Sequence, residues 1–296
     1  MPVIQPAHRV FFAGTRQTTP LLERIQPVAD AGFTAMSVWP GDVKGVDRDH
    51  LKSALTLAGL TLTDLELIGN WSPDHAGSTG PFADIVRPTT PAKLLPLAES
   101  LGVSTVSVVE LLGIDWNGPK IGSAFAALCD QAADHSVRLA IEFVPTGAIS
   151  DFARALEVVE RADRDNGGIM VDSWHFFRSG SSLDQLARCP GDRIFSVQLN
   201  DAPAQPETDL HVGMMNRLLP GEGELNLRGL VDALAHSGST APMGIEVFSE
   251  RLDGLSIGEV AQRCATALDY CLSFAKPQLT ARNCAESSEG DPSGAA

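Results

Sequence analysis

Short apolar runs alternate with amphipathic segments along most of the chain, and this alternation restricts the possible folds more than any other feature. Eight runs have the length and the content of branched and aromatic residues that are typical of buried strands. They lie at residues 10–14, 35–39, 65–68, 103–111, 138–143, 169–172, 194–199 and 244–248. Because most of them are continuously apolar, they indicate parallel strands that are covered on both faces.

The segments between these runs are predicted to be helices. Apolar residues recur in them at helical spacing, and several are followed by a glycine that can end a helix. We expect helices at residues 20–31, 47–58, 90–101, 120–135, 151–164, 183–188, 227–237 and 257–275. Eight strand–helix units in roughly 270 residues match the size of a (β/α)8 barrel. The sequence therefore predicts an α/β fold, a single (β/α)8 TIM barrel over residues 1–276.

Two further points concern the domain organisation. A doubly wound open sheet is the alternative fold, although no GxGxxG sequence follows the first apolar run. After Pro277 the chain consists largely of Ala, Ser, Glu, Gly and Pro and has almost no apolar residues. We therefore expect residues 277–296 to form a disordered tail, because such a composition cannot bury enough apolar surface to fold.

The charge of the chain argues against several classes of partner. There are 22 Lys and Arg residues against 37 Asp and Glu residues, which gives a net charge of −15. Such a surface repels nucleic acid and anionic membranes at long range. No apolar run approaches the ~18 residues of a membrane span, and the first residues lack the features of a signal peptide. Five cysteines without a CxxC pair fit a reducing compartment, so we predict a soluble cytoplasmic protein.

One polar side chain interrupts or ends each of the last four apolar runs: Glu142, Asp172, Gln198 and Glu246. In a parallel barrel the carboxyl ends of the strands meet at one rim, which is where active sites lie. Three carboxylates in one buried place repel one another strongly, and a divalent cation would remove that repulsion. Oxygen ligands of this kind suit Mg²⁺ or Mn²⁺, so the pattern predicts one such ion at this rim.

Five motifs carry a resemblance to a known family. They are IEFVP at 141–145, VDSWHF at 171–176, VQLNDAP at 197–203, RLLPGEGELNL at 217–227 and GIEVFS at 244–249. In their order and spacing, the motifs resemble the xylose isomerase-like barrel superfamily of sugar isomerases and epimerases. The resemblance covers about residues 8–276. It implies that Glu142, Asp172, Gln198 and Glu246 fall on the four metal-ligand positions.

The resemblance also implies a mechanism. In similar epimerases two metal-bound glutamates, here Glu142 and Glu246, remove and return a proton next to a carbonyl group, and the metal stabilises the enediolate. His175 falls on a substrate-contacting position, and we assign it a catalytic role as a proton donor. Arg217 falls where several members bind substrate. The expected activity is that of an isomerase or epimerase of a small polyhydroxylated carbonyl compound, a sugar or a keto-polyol.

Gln198 departs from the commonest pattern, because many sugar epimerases and isomerases of the family carry His at that position. Gln is found there among members that resemble dehydroshikimate dehydratase. A metal-dependent dehydratase acting on dehydroshikimate or an inosose is therefore the alternative. An amide oxygen is also a harder ligand than imidazole, which favours Mg²⁺ or Mn²⁺ over Zn²⁺.

The same residues bear on another branch of the superfamily, on a non-catalytic role and on the oligomeric state. A DNA-repair endonuclease branch with three zinc ions is disfavoured, since Arg217 stands where a His ligand would be expected and the net charge is −15. A non-catalytic barrel that binds a sugar is a further alternative. Barrels of this family often pair, so a homodimer is compatible with the resemblance.

Overall fold

Eight parallel strands close into a barrel in the order in which they occur along the chain. The computed structural model describes residues 4–76 and 82–274. The strands are β1 (Arg9–Phe11), β2 (Ala35–Val38), β3 (Thr61–Ile68), β4 (Thr105–Val108), β5 (Arg138–Glu142), β6 (Gly167–Asp172), β7 (Ile194–Leu199) and β8 (Met243–Ile245). The barrel closes where β8 pairs with β1, and Gly244 is needed there because an added Cβ would overlap the carbonyl oxygen of Val10. The predicted (β/α)8 TIM barrel is confirmed.

Helices follow the strands and cover the outside of the barrel. Within the described residues they are α1 (Leu21–Asp30), α2 (Arg48–Ala58), α3 (Ala83–Val86), α4 (Pro91–Leu101), α5 (Gly118–Ala133), α6 (Phe152–Ala162), α7 (Ser173–Arg178), α8 (Leu183–Arg188), α9 (Leu210–Met214), α10 (Leu227–Ser237) and α11 (Ile257–Ser273). The carboxylate of Asp47 caps α2 by accepting the N–H of His50, which satisfies one of its free amides. None of the described helices combines the length and the apolar character that a bilayer span requires.

The predicted elements differ from the observed ones mainly at their ends. The first predicted strand extends to residue 14, but β1 ends at Phe11 and residues 13–16 form a 3₁₀ turn. β3 begins at Thr61, four residues before the predicted start. The helices α3, α7 and α9 have four to six residues each. They were missed because one turn or so is too short to show helical periodicity.

The predicted domain boundary at residue 276 stays a prediction. The barrel runs from β1 to the end of α11 at Ser273, which lies inside the predicted range of 1–276. The predicted tail at 277–296 lies outside the described residues, so its disorder stays a prediction.

The barrel interior has an apolar floor that is separate from the layer between strands and helices. Val10, Phe12, Ala35, Ala140 and Met170 form most of this inner cluster, and all are fully buried. Polar side chains occupy the next level toward the carboxyl ends of the strands. The floor therefore isolates those polar groups from the amino-terminal end of the barrel.

Asp64 of β3 is a buried acid inside this barrel. Only 1% of the residue is exposed, and neither carboxyl oxygen makes a well-formed hydrogen bond. Burial raises the pKa of Asp64 to about 6, although the nearby hydroxyls of Thr63 and Ser196 and the cation of Arg138 act in the opposite direction. The folded protein therefore binds the proton of this carboxyl group more tightly than the unfolded chain does, and the carboxyl is mainly protonated only below about pH 6.

This preference predicts a pH-dependent effect of Asp64→Asn. The pKa of Asp64 is about 6 in the folded state, and the ordinary value for Asp is 3.8. The folded state therefore binds more protons between these two pH values, and its stability falls as the pH rises through them. A shift of about two pK units corresponds to about 3 kcal/mol. We expect Asp64→Asn to be more stable than the wild type by up to this amount at pH 8, and by much less at pH 4.5. Urea unfolding at both pH values measures the difference.

The exposed residue Asp134 offers a matched control for this substitution. Asp134→Asn should change the free energy of unfolding little at either pH. A gain in Asp64→Asn that is the same at pH 4.5 and pH 8 would contradict the assignment of Asp64 as a buried acid with a raised pKa.

Candidate active site

The four polar residues singled out in the sequence lie at the same rim of the barrel. Glu142 ends β5, Asp172 ends β6, and Gln198 is the second-last residue of β7. Glu246 follows β8 directly. Asp172 and Gln198 are cross-strand partners in the sheet. All four residues are buried, so the parallel strands place three acids and one amide side by side out of water.

The side chains of this rim contact one another through His175 and Arg217. Glu142 Oε1 lies 3.5 Å from His175 Nε2. Ligand atoms of Glu142, Asp172 and His175 all lie within 4.8 Å of one another. Arg217 Nη1 is 2.9 Å from Asp172 Oδ2 and 3.6 Å from Glu246 Oε2. The six residues predicted for the site are therefore brought to one end of the barrel.

Asp172 is the most firmly held of the acids. Its Oδ1 accepts the backbone N–H of His175 at 2.9 Å, which caps α7. Its Oδ2 accepts hydrogen bonds from Asn200 Nδ2 at 2.7 Å and from Arg217 Nη1 at 2.9 Å. Asn200 also donates to the carbonyl oxygen of Glu246 at 3.2 Å. This network fixes the orientation of the carboxylate, as the outer partners of metal ligands commonly do.

The donor set fits a divalent cation. Gln198 is fully buried, and neither its Oε1 nor its Nε2 has a hydrogen-bond partner among the described residues. Glu246 Oε1 likewise has no donor when both it and the neighbouring Glu66 are ionised, although the two carboxyl groups can share a proton. Buried polar atoms are nearly always paired, and a hard cation would give both of these oxygens a partner. The residues that would hold it are Glu142, Asp172, Gln198 and Glu246.

The charges of the site also favour a bound divalent cation. Burial, followed by the nearby charges of Glu246 and Asp172, raises the pKa of Glu142 well above 4.5. Burial and then the neighbouring Glu66 raise the pKa of Glu246 well above its usual value, although Arg217 partly opposes this. The single positive charge of Arg217 thus balances only part of the negative charge of these acids. A divalent ion would supply the positive charge that is still needed.

Burial lowers the pKa of His175 to about 4. The imidazole is therefore neutral near pH 7. Arg217 Nη2 lies 3.2 Å from His175 Nε2 and can only donate, so Nε2 is the acceptor in this contact.

Glu66 is a site residue that the sequence reasoning missed. It lies on β3, is 3% exposed, and accepts a hydrogen bond from the hydroxyl of Ser37. Burial raises the pKa of Glu66 to about 8. The signal was available, because Glu66 interrupts the apolar run at 65–68 just as Glu246 interrupts its own run.

A cavity of about 200 Å³ lies above these side chains. Glu66, Glu142, His175, Arg217 and Glu246 all line it. The volume is below the range of drug-sized pockets, which favours a small compound. Acids and bases therefore face one small space at the carboxyl end of the barrel.

The family model of xylose isomerase-like TIM barrels matches residues 25–270. The chain belongs to this family. The match confirms the resemblance inferred from the motifs at 141–249. It also fits the observed barrel, in which β2 to β8 all lie within the matched residues.

Two curated relatives of this chain are named for different activities. Inosose isomerase of Bacillus subtilis (strain 168) is 31% identical over 140 residues, which cover 46% of this chain and 49% of that protein. 3-Dehydroshikimate dehydratase of Pseudomonas aeruginosa is 25% identical over 236 residues, which cover 78% of this chain and 36% of that protein. The chain thus spans half or less of the length of either relative.

A solved structure supports the fold independently. The crystal structure of the IolI protein with a binding zinc atom has a TM-score of 0.80 and covers 91% of this chain and 99% of that chain, at 21% identity. At this identity the likeness establishes the barrel fold, and the zinc atom is a property of that protein.

Several other polar residues near the rim prove to be structural. Glu110 accepts hydrogen bonds from the backbone of Leu112, Gly113 and Ala148, so it anchors loops rather than facing the cavity. His75 is 1% exposed. Asp201 accepts the N–H groups of Gly221, Gly223 and Leu225. It therefore shapes the loop that follows Arg217.

We expect Asp172→Ala to lose the metal ion. Purified wild-type protein should carry about one divalent ion per chain, measured by mass spectrometry of the metals. Adding EDTA should lower its melting temperature, by roughly 5–10 °C relative to protein with free ion at about 100 times the dissociation constant. Asp172→Ala should show neither the ion nor the EDTA effect. Asp253→Ala, at an exposed carboxylate, is the matched control and should behave as the wild type.

Gln198→His should retain a metal ion but change which ion is preferred. Imidazole is a softer ligand than an amide oxygen, so preference should move from Mg²⁺ or Mn²⁺ toward Zn²⁺ or Co²⁺. Competition titrations of the metal-free protein with pairs of ions measure this preference. An unchanged selectivity would show that Gln198 is not a ligand.

Proposed function

We propose that the chain is a divalent-metal-dependent enzyme that isomerises or epimerises a small hydroxylated carbonyl compound, such as a sugar or a keto-polyol. The observation that carries the proposal is the placement of Glu142 and Glu246 on one cavity. They belong to β5 and to the end of β8, three positions apart in a closed ring of eight strands. A small molecule in the cavity would therefore have a carboxyl group on each side.

Two carboxyl groups on either side of a substrate suit proton transfer at carbon. One carboxylate can remove a proton from a carbon next to the carbonyl group, and the other can return a proton to the same carbon or to its neighbour. Return to the same carbon on the opposite face is epimerisation, whereas return to the neighbouring carbon is isomerisation.

The proposed metal site consists of Glu142, Asp172, Gln198 and Glu246. A divalent ion held there would supply Lewis-acid polarisation of the substrate's carbonyl oxygen. The unpartnered oxygens of Gln198 and Glu246 support the site, as does the close grouping of Glu142, Asp172 and His175. We propose Mn²⁺ or Mg²⁺ because every proposed donor is an oxygen atom.

His175 and Arg217 are proposed to orient the substrate. Both line the cavity, and both are almost fully buried. The guanidinium of Arg217 lies 5.6 Å from the ring of Trp174 and 5.1 Å from that of Phe248, which holds it in place while its charge faces the acids. Arg217 can thus donate to a substrate oxygen, including that of a carboxylate, when it leaves Asp172.

A second candidate is a metal-dependent dehydratase of the dehydroshikimate or inosose type. Gln198 favours it, since an amide stands where many sugar isomerases of the family carry imidazole. The reaction would begin with the same removal of a proton and continue with loss of a β-hydroxyl as water. His175 is the candidate proton donor because it lines the cavity beside Glu142; as the imidazole is neutral near pH 7, it would have to gain a proton before it could protonate the leaving hydroxyl.

Glu246→Gln tests the proton-transfer role directly. The amide cannot take up a proton from carbon, so turnover should fall by roughly 100-fold or more. The circular dichroism spectrum and the melting temperature should stay close to those of the wild type. Glu160→Gln changes an exposed glutamate and should keep full activity. Near-normal turnover in Glu246→Gln would show that this residue is not the base.

The screen for substrate separates the two candidate reactions. Keto-sugars, inososes and dehydroshikimate are incubated with the Mn²⁺-loaded protein in deuterated water, and the products are analysed by mass spectrometry. Isomerisation or epimerisation gives a product that gains deuterium at carbon, whereas dehydration gives a product that has lost one water. No reaction with any compound that fits the cavity would count against both candidates.

A further inference from the structure

A second pocket shares only Arg217 with the cavity of the candidate active site. It has a volume of about 240 Å³ and is lined by the segments that follow β7 and β8 and by α11. Three of its eight lining residues are arginines, namely Arg217, Arg251 and Arg263. We propose that this pocket binds a phosphate group, either as free inorganic phosphate or as part of a phosphorylated substrate.

The charge of this pocket is opposite to that of the chain. The whole sequence has 22 Lys and Arg residues against 37 Asp and Glu residues. The pocket instead has three guanidinium groups and a single acid, Glu222, among its lining residues. Ser249 adds a hydroxyl group that can donate a hydrogen bond. The pocket therefore attracts anions, whereas the net charge of −15 repels them from the molecule as a whole.

Arg217 has a donor that the active site does not use. Its Nη1 lies 2.9 Å from Asp172 Oδ2, and its Nη2 lies 3.2 Å from His175 Nε2. Its Nε is buried and has no hydrogen-bond partner among the described residues, and the residue is only 1% exposed. Buried polar atoms are nearly always paired. Because Arg217 lines the pocket, the oxygen of a phosphate bound there could accept this N–H.

The other two arginines are not committed to partners elsewhere. Arg251 and Arg263 are exposed, and neither forms a salt bridge or a side-chain hydrogen bond with a described residue. Arg263 acts on Glu259 of the same helix only through its charge. The carboxylate of Glu259 instead accepts hydrogen bonds from the N–H and the hydroxyl of Ser256. Both guanidinium groups therefore have donors left for a ligand.

The donors and their position in the fold favour phosphate over a carboxylate. A guanidinium binds two phosphate oxygens in a planar fork, and several of them suit a group with more acceptor oxygens than a carboxylate has. The loops after the seventh and eighth strands are also a frequent phosphate site of (β/α)8 barrels. In this chain Leu219 and Glu222 follow β7, and Val247 and Ser249 follow β8. The pocket thus combines suitable donors with a suitable place.

Isothermal titration calorimetry with inorganic phosphate tests the site directly. The purified full chain is titrated as isolated and again in EDTA, at constant ionic strength. We expect about one phosphate per chain with a dissociation constant of about 1 mM or lower in both cases, and roughly tenfold weaker binding of acetate. Absence of saturable binding up to about 10 mM, or equal binding of acetate, would overturn the inference. Binding that disappears in EDTA would place the phosphate on a metal ion and would overturn it too.

Arg251→Gln and Arg263→Gln locate the binding site. Each removes one exposed guanidinium that the proposed reaction does not use, so each should weaken phosphate binding roughly tenfold and leave the melting temperature unchanged. Arg188→Gln is the matched control, because it makes the same change of net charge at an exposed arginine of α8 outside the pocket. It should bind phosphate as the wild type does. Unchanged affinity in both lining variants, or equal weakening in all three, would refute the site.

Ketose phosphates separate the two sources of the phosphate group. Fructose, fructose 1-phosphate and fructose 6-phosphate are titrated into the Mg²⁺-loaded protein. If the substrate carries the phosphate, one sugar phosphate should bind roughly tenfold more tightly than inorganic phosphate, and Asp172→Ala should remove this gain. If the ligand is free phosphate, neither sugar phosphate should bind more tightly than phosphate itself. Intact phosphate binding without metal binding or turnover would overturn the proposed function but keep this site.

Discussion

The burial of several carboxyl groups side by side is the constraint on which the rest of the structure depends. Glu66, Glu142, Asp172 and Glu246 all lie out of water at one end of the barrel, where each charge raises the cost of the next. Much of the surrounding structure serves to hold Arg217 against them. Asp201 organises the loop after this residue, and the N–H of Arg217 donates to the carbonyl of Phe248 at 2.8 Å. One guanidinium offsets only part of the repulsion, so the site favours binding of further positive charge.

The sequence predicted the barrel and the rim residues Glu142, Asp172, Gln198 and Glu246 for a common physical reason. Polar groups at the ends of continuously apolar runs are rare unless they have a function, and parallel strands bring such ends together. Arg217 came from resemblance, since no local pattern marks it. Asn200 and Glu66 were undervalued because their roles depend on contacts made across the barrel. The apolar side chains that line the cavity were not predictable from the sequence. Those of α3 and α9 belong to short helices whose place over the cavity is set by tertiary packing.

The acids and the apolar residues that line the same cavity bear on different questions about the proposed reaction. In both candidate reactions the acids would begin by removing a proton from the carbon next to a carbonyl group. The apolar lining, which includes Val109 and Leu111, bears on which molecules reach the acids. The relatives include a protein named as an isomerase and one named as a dehydratase. This is understandable if both reactions begin with the same proton removal and the shape and polarity of the cavity decide which product follows.

The order of the strands in the barrel has a consequence for how the acids and the apolar lining of the cavity can evolve. The four proposed ligands, His175 and Arg217 all lie within residues 142–246, whereas seven of the eleven apolar lining residues lie within 39–111. Because neighbouring strands in the ring are neighbours in the chain, the two halves of the barrel are also two continuous stretches of the gene. Mutation or recombination confined to the first stretch, at positions other than Glu66, can thus alter the selectivity of the cavity while the four proposed ligands, His175 and Arg217 are inherited unchanged.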